Sequence, residues 1–161
     1  MRAKIGVIVD VLYIILLGLL LGSALTLGAL TAPVVFTANL YLPDATLSVY
    51  QTGALMSEIF RRYAFVLTIS LALIVIYETH SFIIATRKLL LISVLLVVVS
   101  GALFASYYTP VILELQKGGL EAIATERFSS IHNGAEAVFK LFSLALTVQL
   151  VLRILRLMKH Y

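Results

Sequence analysis

Long stretches without charge alternate with short polar segments along this chain. No formally charged residue occurs between Val11 and Pro43, and two further apolar stretches begin at Tyr63 and Leu89. A helix rises about 1.5 Å per residue, so each stretch is long enough to cross a hydrocarbon core of roughly 30 Å. The pattern predicts three membrane-spanning helices from length alone.

The last apolar stretch is too short to cross a membrane by itself. Residues 141–152 would cover only about 18 Å as a helix. Arg153 and Arg156 at one end, and Lys140 at the other, can extend their charged groups toward water and supply the missing length. We therefore predict a fourth span over about residues 137–156.

These spans predict an all-α integral membrane protein that folds as a four-helix bundle. The whole chain, residues 1–161, is expected to form one membrane domain with helical extensions on its outer side. The spans are predicted at about residues 9–37, 63–84, 89–110 and 137–156, with outer segments 38–62 and 111–136 and a short inner loop 85–88.

Turn and capping residues predict where the helices begin and end. A turn is expected at Pro43-Asp44, and Ser48 with Gln51 fits a capping box that starts the second helix well before its span. Gly118-Gly119 predicts a break in the second outer segment.

Two prolines predict disturbances in the first and third helices. Pro33 is expected to kink or end the first helix, and Pro110 follows the predicted end of the third. Residues 31–35 and 109–112 resemble each other, which suggests two tandem helix hairpins, although coincidence explains so short a match at least as well.

The composition agrees with a membrane protein. Hydrophobic residues make up 61% of the chain and charged residues 12%, and the mean hydropathy is +1.08, which lies outside the balance of a soluble domain. The chain has no cysteine, which excludes disulfides and thiolate chemistry. Arg2 and Lys4 could begin a signal peptide, but the apolar stretch is too long for one, and Pro33 spoils the later cleavage site.

Basic residues predict the orientation. The termini and the inner loop carry most of the lysines and arginines, so the positive-inside rule places both termini in the cytoplasm. These residues are Arg2, Lys4, Arg87, Lys88, Arg153, Arg156 and Lys159. We expect a multi-pass protein of a cell membrane, specifically a bacterial inner membrane, in contact with the lipid bilayer. This topogenic charge accounts for most of the net charge of +4, so nucleic-acid binding is not indicated.

One face of the first helix carries small residues and a proline, which fall within about 80° of arc at 100° per residue. These residues are Gly18, Gly22, Thr26, Ala29 and Pro33. Such a face permits close helix packing. We expect it to contact another helix of the same chain rather than a second copy.

A polar stripe runs down the last helix at the same angular spacing. Its members are Thr125, Ser129, His132, Glu136, Lys140, Ser143 and Thr147. Exposure of these groups to lipid would be costly, so we expect the stripe to face the bundle or a water-filled cavity.

The outer side gathers the residues best suited to a polar site. These candidates are Glu58, Arg62, Tyr63, Tyr107, Tyr108, His132, Glu136 and Lys140. Arg62 could bind an anionic group, and His132 beside Glu136 could bind a cation or carry a proton. Alternatively, these residues only form ion pairs along their own helices, Glu58 with Arg62 four residues on and Glu136 with His132 and Lys140, and these pairs set the depth of each helix.

A smaller inner pair consists of Glu78 and His80. A structural salt bridge from Glu78 to Arg87, Lys88 or an N-terminal basic residue is favoured over a proton relay. His80 and His132 lie at opposite faces of the membrane, which argues against a haem held by both. No catalytic or phosphate-binding motif occurs, so we predict no catalytic residues, no cofactor and no metal, and the case for an enzyme is weak.

Three segments resemble a known family. They are residues 28–36 (GALTAPVVF), 53–63 (GALMSEIFRRY) and 128–132 (FSSIH). With the four spans they resemble the transmembrane protein 205-like family, small membrane proteins known mainly as a domain of unknown function. The chain departs from the family pattern at residues 59–63, where a Leu-Phe-Pro-x-Tyr run is usual, and at Phe139, where an Asn is usual. The resemblance implies a four-helix membrane fold, and the family's association with platinum resistance suggests export or trafficking.

Three functions therefore compete. The first is a binding or transport component whose outer-facing polar cavity accepts a small solute, cation or proton, and transport through so small a bundle would favour an oligomer. The second is a structural or assembly subunit that holds another membrane protein. The third is an enzyme or redox module, which the family resemblance leaves open.

Overall fold

The computed structural model describes residues 2–42, 46–82 and 88–160, and the regular elements in these ranges are helical. They are α1 (Arg2–Leu25), a π-helix π1 (Thr26–Thr31), α2 (Ala32–Phe36), a 3-10 turn (Ala38–Leu40), α3 (Val49–Phe82), α4 (Lys88–Leu103), a second π-helix π2 (Phe104–Tyr108), α5 (Thr109–Gln116), α6 (Gly119–Ile123) and α7 (Glu126–His160).

Four continuous helical runs are long and apolar enough to cross a membrane. They are Gly6–Phe36, Val49–Ser81, Lys88–Gln116 and Glu126–Lys159. Large apolar side chains on these runs point outward, among them Leu19, Phe65 and Leu144, each at least 64% exposed. Such a surface fits lipid rather than water. The all-α four-helix membrane bundle is confirmed.

The two ends of the bundle differ. We call the end at which α1 begins and α7 ends the terminal end. The loop end is the opposite one, where the connections before α3 and before α7 lie. Residues 83–87, which include most of the predicted inner loop, lie outside the described residues.

A close-packed core occupies the middle of the bundle. Leu17, Leu67, Ile74 and Phe142 have no exposed surface, and α4 packs along α7 more extensively than any other pair of helices in the described chain. Gly101 on α4 makes this approach possible, because a Cβ there would lie 3.1 Å from carbons of both Leu71 and Phe142. The glycine leaves room where two helices press closest together.

The prolines lie inside continuous helical runs and do not end them. Pro33 follows π1 and Pro110 follows π2, each within the first two positions of the next α-helix. A proline inside a helix lacks one donor and crowds the carbonyl four residues earlier, and a widened π turn before it relieves both problems. The prediction that the third helix ends before Pro110 was wrong, since that run continues to Gln116.

The sequence match between residues 31–35 and 109–112 therefore has a structural counterpart. In both places a π-helix leads directly into an α-helix that carries a proline at its start. In the second copy the Thr109 hydroxyl donates to the Phe104 carbonyl, 2.8 Å away. That bond satisfies an oxygen at the start of the wider turn.

The start of α3 is capped as predicted. The Ser48 hydroxyl accepts from the Gln51 amide at 3.2 Å, and the Gln51 side chain accepts from the Ser48 amide at 2.8 Å. Asn39 makes two hydrogen bonds to the backbone of Leu47, at 2.8 and 3.0 Å, and so joins the ends of the preceding loop. The predicted Pro43-Asp44 turn lies outside the described residues.

The remaining boundaries follow the glycine and stripe predictions. The third run ends at Gln116, and α6 starts at Gly119 with φ at +75°, a conformation that glycine adopts without strain. The prediction that one helix runs from near Thr125 into the fourth span is confirmed by the uninterrupted α7, Glu126–His160.

The small-residue face of α1 is not packed inside the chain. A Cβ at Gly18 or Gly22 would meet nothing within 4 Å, and Thr26 is exposed. The buried positions of α1 are Tyr13, Leu17, Leu20 and Ala24. At 100° per residue those positions point about 150° away from the glycines, which is why the small-residue face turns outward. Only its last two members, Ala29 and Pro33, border a cavity within the chain.

Substitution of the two kinds of helical glycine should separate packing from exposure. Gly101→Leu must force four carbons between Leu71 and Phe142 and should lower the free energy of unfolding by about 3 kcal/mol. Gly18→Leu meets open space and should change it by less than about 1 kcal/mol. Unfolding by SDS titration from mixed micelles measures both. Equal losses would contradict the packing described for α4 and α7.

Candidate functional site

A buried ion pair joins α3 to α7 near the terminal end. The Arg153 guanidinium contacts Glu78 through Nη2 to Oε2, and through Nε to Oε1 at 3.1 Å. The two residues are 4% and 8% exposed. Arg153 also donates to the Ser81 hydroxyl at 3.1 Å. A two-pronged contact of this kind neutralises both charges where water is scarce.

Polar groups of α1 and α7 complete this cluster. The Tyr13 hydroxyl donates to Glu78 Oε1 at 2.6 Å, and Gln149 Nε2 donates to both the Tyr13 hydroxyl, at 2.7 Å, and Glu78 Oε1, at 2.8 Å. These acceptors fix which way the Gln149 amide points. Its Oε1 atom has no hydrogen-bond partner within the described residues.

An aromatic pair covers the cluster. The rings of Tyr13 and Tyr77 stack with centroids 3.7 Å apart, and the Arg153 guanidinium lies 5.5 and 5.0 Å from the two centroids. Tyr77 donates its hydroxyl proton to Asp10 on α1. The cationic group is therefore flanked by a carboxylate and by two aromatic faces, which suits its burial.

This cluster differs from the predicted inner pair. Among the side chains that the structure describes, Glu78 takes Arg153 as its partner rather than Lys88, while Arg87 and the side chains of the N-terminal basic residues lie outside that description. Arg153 does not extend toward water, because its charge is already satisfied inside the bundle. His80 is exposed and contributes nothing to the cluster.

Sequence reasoning missed Gln149 and the role of Arg153. A usable signal exists, since the two polar residues lie four apart and so on one face of an otherwise apolar helix.

A cavity of about 870 Å³ lies at the loop end, bordered by α1 with π1 and α2, by α3, by α5 and α6, and by α7. Its lining is mostly apolar and includes Ala24, Gly28, Pro33, Met56, Ile112 and Ala135. Phe60, Phe104 and Phe139 form one aromatic surface, with ring centroids 4.8 to 5.5 Å apart. Gly28 lets α1 approach this surface, because a Cβ there would lie 3.3 Å from the Phe139 ring.

Polar groups border the cavity in two places. On α7, His132, Glu136 and Lys140 contribute to the lining, and Glu136 is already paired with Lys140 at 2.5 Å. The His132 ring stacks on Phe128, with centroids 6.0 Å apart. On the opposite side, Ser57 of α3 and Gln116 of α5 belong to the lining and are 9% and 8% exposed.

The structure brings three of the eight predicted outer residues to the cavity, namely His132, Glu136 and Lys140. Glu58 instead pairs with Arg62, as the four-residue spacing predicted, and also with Arg61, at 2.9 and 2.6 Å. Arg62 is 78% exposed there, so the pair lies on the outer surface of α3.

The three predicted tyrosines also lie away from the cavity lining. Tyr63 is in the core, and its hydroxyl has no hydrogen-bond partner in the described chain. Tyr107 is 49% exposed, and Tyr108 covers Gly134, where a Cβ would lie 2.8 Å from its ring.

The polar stripe of α7 divides along its length. Its central members His132, Glu136, Lys140 and Ser143 border the cavity as expected. Thr125, Ser129 and Thr147 are exposed on the surface instead. The described residues contain no cluster of three or more His, Asp and Glu side chains able to hold a metal.

Apolar side chains separate the cavity from the buried ion pair. The cavity ends near Ala24 on α1 and Ser143 on α7. Leu20 and Leu146 follow in the next turn of each helix and are buried, and beyond them come Tyr13 and Gln149 of the charged cluster. The two polar regions are therefore not connected through the bundle in this conformation.

Comparison with known proteins matches this chain to a protein family. A family model described as Domain of unknown function (DUF4149) matches residues 15–121, which include most of the first span, the second and third spans and much of the cavity. No curated protein and no solved structure matches the chain.

Loss of one partner of the buried pair should be far more damaging than loss of both. Glu78→Leu leaves the Arg153 guanidinium buried without a counter-charge, and Arg153→Met leaves the Glu78 carboxylate buried without one. Each variant should lower the free energy of unfolding by about 3–5 kcal/mol. The double variant strands no charge and should cost much less than the sum. SDS unfolding measures all three.

An exposed pair provides the control for this comparison. Glu114 and Lys117 are paired at 2.6 Å but are each 72% exposed, so Glu114→Ala should leave the unfolding curve almost unchanged. Additive losses in the double variant at Glu78 and Arg153 would show that the two charges are not coupled.

Proposed function

The chain belongs to the DUF4149 family, whose function is undefined, and we propose from its own geometry that this multi-pass membrane protein binds a largely apolar molecule in the loop-end cavity. The observation that carries the proposal is a cavity of about 870 Å³ with an aromatic surface and a mainly apolar lining. Sites for small molecules and cofactors typically measure roughly 300–1,000 Å³ and have this kind of lining.

The charged groups at the cavity give less support to a small cation or polar solute. Glu136 is the carboxylate that a cation would need, and it already has Lys140 as a partner. A cation would have to displace that ammonium group and leave its own hydration shell for a mostly apolar space. An apolar molecule gains from the same lining.

The residues behind the family resemblance support the cavity as the relevant feature. Each of the three segments contributes to the lining, through Gly28 and Pro33, through Gly53 and Phe60, and through Phe128 and His132. We further propose that the protein is related to the transmembrane protein 205-like proteins and shares a role in export or trafficking.

The buried layer beneath the cavity favours a binding component over an open pore. Leu17, Phe142 and Leu146 have no exposed surface and fill the bundle below the cavity. Transport would require either a second conformation of these helices or an oligomer. We also propose that the protein resides in a cell membrane, a bacterial inner membrane, with both termini cytoplasmic, on the basis of the basic residues near its ends.

The outward small-residue face of α1 favours a second candidate function, a structural or assembly subunit. Gly18 and Gly22 face open space within the chain, so they could admit a helix of another membrane protein.

The chain contains no tryptophan, so a single introduced one reports on its own surroundings. In Phe60→Trp the reporter lines the cavity, and titration with methyl 9,10-dibromostearate in detergent should quench its fluorescence to a plateau. Bromine quenches by contact, and a plateau indicates one limited site. A linear decrease without a plateau would indicate simple partitioning and would contradict the proposal.

Neighbouring substitutions provide the matched control. Adding Ala29→Phe to the reporter places a ring in the cavity and should raise the half-saturating probe concentration at least tenfold, about 1.4 kcal/mol. Leu30→Phe adds the same ring one position along, at a side chain that is 64% exposed and outside the lining, and should have no effect. Equal effects of the two changes would count against cavity binding.

The assembly function predicts a different result. Crosslinking followed by purification in mild detergent should recover a distinct membrane protein with the wild type, and Gly22→Leu should abolish that recovery because the added side chain blocks close helix approach. Leu19→Phe, on an exposed position outside the small-residue face, should not. Repeated recovery of the protein alone would argue against this function.

A further inference from the structure

Two polar side chains in the cavity wall belong to mostly buried residues and make no hydrogen bond to the described part of the chain. Gln116 and Ser57 are more than nine-tenths buried and belong to the cavity lining. Within the described residues, the hydrogen bond that involves Gln116 uses its backbone carbonyl, which accepts from Tyr50 at 3.4 Å, and not its carboxamide. The Ser57 hydroxyl likewise makes no bond to a described residue.

These two groups face the cavity from one wall. A Cβ at Gly53 would lie 3.5 Å from Gln116 Nε2, so the carboxamide rests against the bare backbone of α3. Ser57 lies four residues after Gly53 and therefore on the same face, one turn deeper, at a spacing of about 5–6 Å between such positions. A carboxamide and a hydroxyl are thus arranged one turn apart on an otherwise apolar surface.

Two other hydroxyl groups of the bundle are already bonded within the chain. The buried Ser70 on the same helix donates to the Val66 carbonyl at 2.9 Å, and Thr109 in the cavity wall donates to the Phe104 carbonyl at 2.8 Å. Serine and threonine hydroxyls in membrane helices commonly donate to a backbone carbonyl of the preceding turn. Gln116 and Ser57 are left available to a bound molecule.

The chemistry of the two groups defines what they can bind. A carboxamide donates two protons and accepts, and a hydroxyl donates one and accepts. Both are neutral, so they offer no counter-charge to an ion, and an unpaired ion in an apolar cavity is costly. A neutral group that bonds to them gains hydrogen bonds in a mostly apolar space, where little water competes for the same groups.

We propose that Gln116 and Ser57 bind an uncharged carbonyl or hydroxyl group carried by the apolar molecule that fills the cavity. This inference rests on the proposed function and adds the chemical class of the ligand. The recognised molecule is apolar over most of its length and carries one neutral oxygen-containing group, which the carboxamide and the hydroxyl address together. The charged residues of α7 that border the cavity, Glu136 and Lys140, play no part in this recognition, because they are paired with each other.

Four brominated probes that share one chain and differ in the head group test this specificity on the Phe60→Trp reporter. They are methyl 9,10-dibromostearate, 9,10-dibromostearyl alcohol, the 9,10-dibromostearate anion and 9,10-dibromooctadecane. We expect the ester or the alcohol to half-saturate the quenching at a concentration at least tenfold below that of the anion and of the bare hydrocarbon. The better of the two identifies the group as carbonyl or hydroxyl.

Substitution of the two side chains should abolish the preference. Gln116→Leu keeps the size of the side chain but removes its hydrogen bonds, and should raise the half-saturating concentration of the preferred probe at least fivefold while leaving dibromooctadecane unchanged. Ser57→Ala should raise it about threefold. Ser70→Ala, the same change at a buried serine that already has an internal partner, should have no effect.

The outcomes separate this inference from the function on which it rests. If no probe quenches to a plateau, cavity binding itself fails. If the probes saturate but the hydrocarbon or the anion binds as well as the neutral polar ones, the head-group recognition is wrong while cavity binding stands. Head-group recognition is also wrong if Ser57→Ala and Gln116→Leu both bind the preferred probe as tightly as the Phe60→Trp parent does. If Gln116→Leu does not fold, the result for Ser57→Ala decides this question by itself.

Discussion

The buried pair of Glu78 and Arg153 constrains the rest of the bundle. In a bilayer, a charge on a spanning helix must find its partner within the protein, because the surrounding hydrocarbon offers none. Glu78 lies on α3 and Arg153 on α7, and Tyr13 brings α1 to the same carboxylate. Three helices therefore meet at this carboxylate, which fixes their rotation and depth. The pair does not constrain the parts of these helices that lie toward the loop end.

The loop end is packed less tightly than the middle of the bundle. Beyond the packed middle of the bundle, the helices enclose about 870 Å³ rather than a solid core. Glycines at positions 28 and 53 bring backbone close to Phe139 and to Gln116, so the cavity wall is formed partly by main chain. The molecule thus combines a closed, charge-paired end with an open, apolar one. That division agrees with the proposal that an apolar molecule binds at the loop end.

Sequence patterns predicted the spans and several local features well, because these depend on residues close in the chain. The Ser48 cap, the Glu58–Arg62 pair, the break at Gly118-Gly119 and the continuous α7 are all short-range. The partner of Glu78 could not be predicted in this way, because it lies 75 residues away and depends on how helices rotate against each other. The small-residue face was assigned to the wrong neighbour for the same reason.

Two groups of polar residues in the cavity wall differ in how easily the sequence identifies them. His132, Glu136 and Lys140 are charged or titratable and drew notice, whereas Gln116 and Ser57 are ordinary residues in any sequence. These two side chains matter because they line the cavity and make no hydrogen bond to a described residue, and that depends on how the helices pack.

The paired π-helices have a further consequence for how such a bundle can change over time. A π turn holds one residue more than the α turn it replaces, so everything beyond it is rotated by about 100° relative to an uninterrupted helix. In π1 this rotation comes just before Ala32 and Pro33, which border the cavity. Deletion of a single residue within π1 would convert the wide turn to an α turn. The lost residue and the lost rotation cancel, so the side chains beyond the turn would still point at the cavity, while α1 kept its place against Tyr77 and Glu78. The loop end can therefore absorb a change of length in π1 with its lining, and the terminal end, left undisturbed.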